Sequence, residues 1–200
     1  MIKSFLFILL MATTVAAQAV NPGKGLLKVK TDESTVAWTG RKVTGQHNGS
    51  ISIKDGTVSI QDGLLTGGTI IMDMTSITVL DQEGGGKTKL EGHLKSDDFF
   101  GVEKYPTSSL VVTKAVSKGE GQYAVTADLT IKGITHPINF DAVLKLGSDR
   151  ATVTADLKID RTLYDVRYGS GKFFDDLGDK TIDDIFELNV KIVAVDRQNN

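Results

Sequence analysis

The side chains that most often carry catalysis are sparse in this sequence of 200 residues. It contains three histidines, His47, His93 and His136, and no cysteine. The histidines show neither the H-x-H nor the H-E-x-x-H spacing of zinc sites, and no cysteine can complete a ligand set. No G-x-S-x-G sequence marks a nucleophilic serine, although residue order alone does not exclude a triad. We therefore predict no metal, no cofactor and no enzymatic activity.

An acidic segment near the C-terminal end is the remaining candidate for a cation site. It contains Asp175, Asp176, Asp179, Asp183 and Asp184. Carboxylate oxygens of this kind bind Ca²⁺, but the D-x-D-x-D-G spacing and the final Glu of an EF-hand loop are missing. The segment is interpreted as a solvated acidic loop.

Arg161 is the polar side chain with the best case for contact with a ligand. It follows a run of alternating residues, and Thr162, Tyr164 and Arg167 lie just beyond it. At the mouth of a pocket, a guanidinium would bind an anionic or carbonyl head group. The alternative is an ion pair with one of the many nearby acids, and this alternative is slightly favoured.

Two phenylalanine pairs, Phe99–Phe100 and Phe173–Phe174, lie in segments that lack strand periodicity. Such segments are normally polar, so paired aromatic rings predict a plug or lid over one end of the fold. The alternative is a small hydrophobic cluster that anchors each segment.

The elements that must position these residues are strands. Most of residues 34–195 alternate apolar and polar side chains with a period of two, which is typical of strands with one buried face. Asp55–Gly56 predicts a hairpin, because Asp-Gly fits a type I′ turn. Residues 81–105 break the alternation and predict one or two short helices in a long connection.

Eight or nine antiparallel strands, each with one apolar face, can hide those faces in a closed barrel or in a two-sheet sandwich. The length of the strands and their simple up-and-down order favour the barrel, which also leaves no exposed edge. We therefore predict an all-β protein. An eight-stranded barrel is either just filled by its own side chains or holds one slender ligand.

The N-terminal residues predict export. Lys3 precedes the apolar run Phe5–Met11, and small residues follow up to Ala17–Ala19, as in a signal peptide. The apolar run is too short to span a bilayer, and a retained anchor is the less favoured alternative. We predict a signal peptide at residues 1–19, a tether at 20–33, one barrel domain at 34–195 and a polar tail at 196–200.

Composition narrows the class of partner and the compartment. The 23 basic and 25 acidic side chains give a formal net charge of −2, which argues against a nucleic-acid surface. No later segment is typical of a transmembrane helix, so the mature chain is expected to carry no such anchor. Without a cysteine for lipid attachment, the predicted location is the periplasm or the secreted fraction.

Three segments carry a likeness to known proteins. They are residues 93–106 (HLKSDDFFGVEKYP), residues 129–138 (LTIKGITHPI), and residues 159–162 (IDRT) with Tyr164. In this order and spacing they resemble the YceI-like family of lipid- or polyisoprenoid-binding periplasmic proteins. One departure is Asp165, where many relatives have Gly. The resemblance implies an extended eight-stranded antiparallel β-barrel, lipocalin-like in shape, with a long apolar pocket for an isoprenoid or fatty chain.

The predicted function is to sequester or carry a long apolar chain: a polyisoprenoid, an isoprenoid quinone or a fatty-acid-like molecule. The inward strand faces supply candidate contacts at Trp38, Ile70, Met72, Leu110, Leu129, Phe140, Leu157 and Phe186. Irregular segments supply Phe99, Phe100, Arg161, Tyr164, Phe173 and Phe174. Plain core packing is the alternative for each apolar candidate, because alternation shows only which residues share a face. An enzyme acting on an apolar substrate, a ligand-free interaction module with a filled interior, and a homodimer stay open.

Overall fold

The computed structural model describes residues 25–196. The predicted signal peptide, residues 20–24 of the predicted tether and residues 197–200 of the predicted tail lie outside the described residues. The strands are β1 Gly25–Val29, β2 Thr35–Lys42, β3 Gly45–Gln61, β4 Leu64–Val79, β5 Thr107–Gly119, β6 Gln122–Ile131, β7 Ile134–Leu146, β8 Arg150–Asp160 and β9 Ile185–Val195. One helix, α1, spans Gly84–Lys95, and two 3₁₀ turns span Arg161–Tyr164 and Gly178–Lys180.

The strands form a closed antiparallel β-barrel with eight positions. Each strand from β2 to β8 pairs with the next strand along the chain, and β9 pairs with β2 to close the barrel. β1 and β2 share one position, since both pair with β3 and β9 at different heights. The predicted fold class is confirmed. We call the end of the barrel that carries α1 the helix end, and the opposite end, with the Asp62–Gly63 turn, the turn end.

Paired left-handed residues make the tightest turns. Both residues have positive φ at 62–63, 120–121 and 132–133. Two successive positive φ angles define the type I′ geometry, whose twist matches that of the flanking strands. In each turn the second residue is Gly, which adopts this conformation without steric cost.

The hairpin predicted at Asp55–Gly56 is wrong. β3 continues through these residues to Gln61, and its register with β4 shifts just before Asp55, as in a β-bulge. A Cβ on Gly56 would lie 2.9 Å from the carbonyl oxygen of Thr69 and 3.0 Å from Cγ2 of Val29. Gly56 therefore allows a close backbone approach rather than a turn, and Asp-Gly by itself does not distinguish these two uses.

The described part of the predicted tether is also corrected. Gly25–Val29 forms β1, which pairs with β3 and β9, so the barrel includes residues that were assigned to the tether. Val29 is buried in the core, and Leu27 packs against it. Five residues that include Lys28 are too short a run for periodicity to stand out, and the neighbouring strands decide their conformation.

The interruption between β4 and β5 contains α1, as the sequence predicted. The Glu91 carboxylate accepts hydrogen bonds from the Val79 amide (2.9 Å) and the Thr78 hydroxyl (2.7 Å). Lys87 Nζ donates to the Val79 carbonyl oxygen at 2.7 Å. No residue of α1 is fully buried. Polar contacts with the end of β4, together with the packing of Leu94 against the cluster of Met74, Ile77 and Val102, hold the helix in place.

Gly49 occupies the most crowded backbone position. A Cβ there would lie 1.9 Å from the carbonyl oxygen of Thr78 and 2.5 Å from Cζ2 of Trp38. We predict that Gly49→Ala lowers the free energy of unfolding by about 3 kcal/mol, the upper range for overpacking. A Cβ on Gly40 would meet no atom within 4 Å, so Gly40→Ala is the control and should change stability by less than about 0.5 kcal/mol. Urea denaturation measures both, and unchanged stability of Gly49→Ala would contradict this packing.

Candidate functional site

A cavity of about 230 Å³ lies inside the barrel, and every strand from β2 to β9 contributes to its wall. Apolar side chains form nearly all of the wall. The polar exceptions are Thr57, Ser108, Ser109, Arg161 and Asp183. On β4 the wall extends from Leu65 to Ile77, which is about 40 Å of strand at 3.3 Å per residue. The cavity therefore follows most of the length of the barrel.

Period-two alternation places these residues on the inner face. On β6, Val125, Leu129 and Ile131 are buried and line the cavity. Thr126 lies between them and points outward, where its hydroxyl donates to Oδ1 of Asn139 on β7 at 2.8 Å. One face of each strand thus builds the cavity wall, and the other builds the hydrated surface.

The turn end of the barrel is filled by its own side chains. Val29, Ile60, Tyr123 and Leu144 are buried in one cluster and do not belong to the cavity wall. The Tyr123 hydroxyl accepts a hydrogen bond from the Leu65 amide at 3.2 Å, which satisfies its buried oxygen. The cavity is therefore blind at this end.

Two segments cover the helix end. Leu94, at the end of α1, and the Phe99–Phe100 pair after it line the cavity, and the ring of Phe100 meets that of Phe186 edge to face at 6.3 Å. From the second segment, Arg161 and Ile182 reach the same end of the wall. Aromatic and aliphatic groups thus close the cavity on this side.

Most of the predicted contact residues lie in the wall. They are Trp38, Ile70, Met72, Phe99, Phe100, Leu110, Leu129, Phe140, Leu157, Arg161 and Phe186. Their place in the wall is observed, and their contact with a ligand stays a prediction. Further wall residues lie outside the predicted contact set: Val36, Ile51, Met74, Ile77, Val112, Val125, Val153, Leu188 and Val190. Alternation places most of them on the inward strand faces, but it does not find Ile77, because the pairing of β3 with β4 shifts between Asp73 and Thr78.

Three predicted residues do not line the cavity, contrary to the prediction. Tyr164 is fully buried behind the wall, where its ring meets that of His136 edge to face at 5.4 Å. Phe173 and Phe174 are 41% and 49% exposed, and the Arg167 guanidinium lies 4.9 Å from the centre of the Phe173 ring. A cation–π contact of this kind stabilises an aromatic ring on the surface, so an aromatic residue in an irregular segment need not enter the barrel.

Arg161 is buried at the helix end, and backbone carbonyls surround it. Its Nε donates to Asp183 (2.9 Å), Nη1 to Val166 (2.8 Å) and Nη2 to Ile182 (3.0 Å). A carboxylate oxygen of Asp184 lies 3.7 Å from Nη2. Burial lowers the pKa of the Arg161 guanidinium, and nearby carboxylates led by Asp184 oppose that shift. These donors tie the residues after β8 to those before β9, which supports the structural interpretation of Arg161.

A few buried polar atoms have no hydrogen-bond partner among residues 25–196. They are Nε1 of Trp38, the hydroxyl of Tyr164 and Oδ1 of Asp184. Trp38 belongs to the cavity wall, but its Nε1 is itself fully buried, so other atoms of the ring supply its contact with the cavity.

Two further structural features bear on function. Across residues 25–196, no three His, Cys, Asp or Glu side chains come together as a metal site would require. In the same part of the chain, no helix combines the length and apolar character needed to cross a membrane.

Comparison with known proteins identifies relatives in sequence and in fold. Residues 27–194 match the family model described as the YceI-like domain. A UPF0312 protein of Vibrio parahaemolyticus is 31% identical over 113 residues, which cover 53% of this chain and 57% of that protein. A UPF0312 protein of Photorhabdus laumondii is 44% identical over 52 residues, 26% of this chain and 27% of that protein. The chain thus spans less than two thirds of these relatives.

Solved structures share the fold. BcnA of Burkholderia cenocepacia superposes with a TM-score of 0.68 at 20% identity, over 84% of this chain and 99% of that one. A domain from Saccharophagus degradans, described as polyisoprenoid binding and implicated in plant cell wall breakdown, gives 0.66 at 15% identity, over 86% and 99%. The Campylobacter jejuni YCEI protein gives 0.53 at 20% identity, over 67% and 74%.

The carbonyl contacts of Arg161 predict a large structural effect. In Arg161→Met, one buried and two partly buried carbonyl oxygens lose their donors, so we expect the free energy of unfolding to fall by about 3 kcal/mol. Arg167→Met is the control, because Arg167 is exposed and pairs with Asp165 at 2.7 Å on the surface. Exposed pairs of this kind contribute less than about 1 kcal/mol. Chemical denaturation followed by Trp38 fluorescence compares them, and equal losses would refute the structural role.

Docking of α1 is expected to weaken in acid. Hydrogen bonds from the Val79 amide and the Thr78 hydroxyl lower the pKa of Glu91, and Lys87 adds to the effect. The stabilisation is therefore complete above the ordinary Glu pKa of 4.5 and is lost as the pH falls through the lower pKa of the folded protein. The protection factor of the Val79 amide, which is the exchange rate of an unprotected amide at the same pH divided by that of the Val79 amide, should fall in that range in the wild type and in the surface control Glu103→Gln. In Glu91→Gln this acid step should be absent, and an identical step there would contradict the assignment.

Proposed function

This chain belongs to the YceI-like domain family, and we propose that it sequesters or carries a long apolar chain inside the barrel without altering it chemically. The observation that carries the proposal is the long cavity with an almost entirely apolar wall. A cavity of this kind weighs against the alternative of a filled interior. It is also what an isoprenoid or acyl tail requires, since such a tail offers little but apolar surface.

Exclusion of water is sufficient to hold such a ligand. Burial contributes about 25 cal/mol per Å², so about 300 Å² of buried apolar surface contributes about 7.5 kcal/mol before the cost of ordering the chain. Met72 and Met74 lie in the wall. Their flexible thioethers fit the irregular outline of a branched chain better than stiff aliphatic groups would.

One comparison narrows the class of ligand. The Saccharophagus degradans neighbour is described as a polyisoprenoid binding domain, which supports an isoprenoid chain over other hydrocarbons. We therefore propose a polyisoprenoid or isoprenoid quinone, with a fatty-acid-like chain as the second candidate.

Export completes the proposal. The predicted signal peptide at residues 1–19 supports a periplasmic or secreted location, where an apolar chain is insoluble unless a protein encloses it.

A carrier needs no reactive group in its wall. Among residues 25–196, none of the three histidines lines the cavity, and His47 instead pairs with Asp81 on the outer surface at 2.9 Å.

Filling part of the cavity should weaken binding. Val190 lines the wall of β9, whereas the next residue, Lys191, is exposed on the outer face. We predict that Val190→Phe reduces the lipid recovered per protein by about tenfold, which equals a loss of about 1.4 kcal/mol of binding free energy. Lys191→Phe, the control, should retain wild-type loading.

The measurement is mass spectrometry of an organic extract of each purified protein. A stoichiometric lipid in the wild type supports the carrier, and an altered lipid formed only by the wild type would indicate an enzyme. Repeated absence of lipid, together with no uptake of an added isoprenoid quinone, would refute the proposed function.

A further inference from the structure

Two neighbouring strands of the barrel, β7 and β8, are joined by backbone hydrogen bonds along only half of their shared edge, which we call the seam. β7 and β8 pair only from Ala142 opposite Ala155 to Leu146 opposite Ala151. On their other sides, β7 pairs with β6 along its first ten residues and β8 pairs with β9 along its whole length. Within residues 25–196, no backbone pairing joins residues 134–141 to residues 156–160. We call the opening between residues 137–141 of β7 and residues 156–160 of β8 the β7–β8 window.

The sequence of β7 removes one of the backbone donors that could close this window. The Leu144 amide donates to the Gly121 carbonyl oxygen at 2.7 Å, on the side of β6. The β6–β7 register has no shift, so even-numbered amides of β7 face β6 and odd-numbered positions face β8. Pro137 is odd-numbered and has no N–H to donate across the window. Proline in a strand is typical of such an unpaired edge.

Side chains alone separate the cavity from the surface at the window. Ile138 and Phe140 of β7 pack in one cluster with Leu157 and Ile159 of β8. Phe140 and Leu157 also line the cavity. Rotation of these side chains would therefore connect the cavity with solvent without breaking a backbone hydrogen bond.

A surface groove reaches the same place from outside. It is lined by polar outward residues that include Asp141 and Asp156, and it extends inward to Ala142 and Ala155. These two alanines line the internal cavity as well. We call the point where the window meets the paired half of the seam, at Ala142 and Ala155, the fork. At the fork, the groove and the cavity are separated by two of the smallest side chains available.

The window has fixed limits. At the fork it ends where the ladder begins, at Ala142. At the helix end, Nε2 of His136 lies 3.0 Å from the carbonyl oxygen of Leu163, and Lys132 Nζ donates to the Asp165 carbonyl oxygen at 2.9 Å. The five residues between these limits span about 16 Å of strand at 3.3 Å per residue. An extended apolar chain is slender enough to pass through an opening of this length.

The two ends of the barrel are harder to open. The turn end is filled by the buried cluster around Tyr123. Opening the helix end would break the three carbonyl contacts of Arg161 or the hydrogen bonds of Glu91. Charge-assisted bonds of this kind are stronger than neutral ones. The window requires only apolar side chains to move, and passage between the Phe99 and Phe100 rings at the helix end is the competing path that the experiment below distinguishes.

We propose that the apolar ligand enters and leaves the cavity sideways, through the β7–β8 window. This inference rests on the proposed function, since it concerns the path of the ligand held in the cavity. Phe140 and Leu157 act as the movable wall, and the paired half of the seam sets one limit of the opening.

A chemical bridge across the window tests the path. Asn139 and Lys158 are exposed, and they stand opposite each other when the register of the paired half is continued. Because the chain has no cysteine, Asn139→Cys/Lys158→Cys can be joined specifically by a short bis-maleimide. The matched control is Val143→Cys/Thr154→Cys with the same reagent, in the half where the ladder already joins the strands. The probe is a fluorescent polyene fatty acid, whose uptake and release are followed by stopped flow.

We expect the window bridge to slow both uptake and release by about tenfold or more, and the control bridge to leave both rates unchanged. Asn139→Cys carrying a single maleimide should also exchange at the wild-type rate, because bulk alone does not join the strands. Circular dichroism checks the fold of every variant, and Asp141→Cys/Asp156→Cys is the second pair across the window.

Failure of the path and failure of the function give different results. If the unmodified protein binds the probe and bridging the window leaves exchange as fast as in the control, the lateral path is overturned and the carrier function stands. If the unmodified protein binds neither the probe nor an isoprenoid quinone, the proposed function fails, and the path is overturned with it.

Discussion

Pairing between the last strand and the first strands is the constraint on which the rest of the structure depends. β9 pairs with β2 and with β1. This pairing closes a meander in which the strands from β2 to β9 pair in the order of the sequence. Closure turns one face of each strand toward a common interior and removes the edges that an open sheet would expose. Without it, the apolar faces that now surround a cavity would lie in water.

The ends of the barrel differ because different chemistry closes them. At the turn end, residues such as Tyr123 and Leu144 fill the interior. At the helix end, α1 and the segment after β8 are held by Glu91 and Arg161, whose side chains satisfy backbone groups that the barrel leaves unpaired. The apolar cavity between the two ends is thus bounded by a packed core on one side and by polar clamps on the other.

The seam between β7 and β8 shows how a barrel can be closed without being sealed. Half of the seam is joined by a backbone ladder and half by contact between Phe140, Leu157 and their neighbours. Packing contacts between side chains are weak individually and strong only together, so single side chains can rotate at low cost. A backbone ladder, in contrast, opens only when its hydrogen bonds break. The same wall can therefore exclude water and still allow a slender chain to pass.

Much of this protein follows from its sequence alone. Alternation identified the strand faces, the break at residues 81–105 located the helix, and eleven of fourteen candidate residues lie in the cavity wall. These features are local, because the period of a strand decides which side chains share a face.

Only the tertiary structure decided what each face meets. Asp55–Gly56 became a bulge because Val29 and Thr69 approach it, β1 became a strand because β3 and β9 flank it, and Arg161 became a clamp because carbonyls on both sides of the segment between β8 and β9 converge on it. Most of these partners are separated along the chain, and the tertiary structure brings them together.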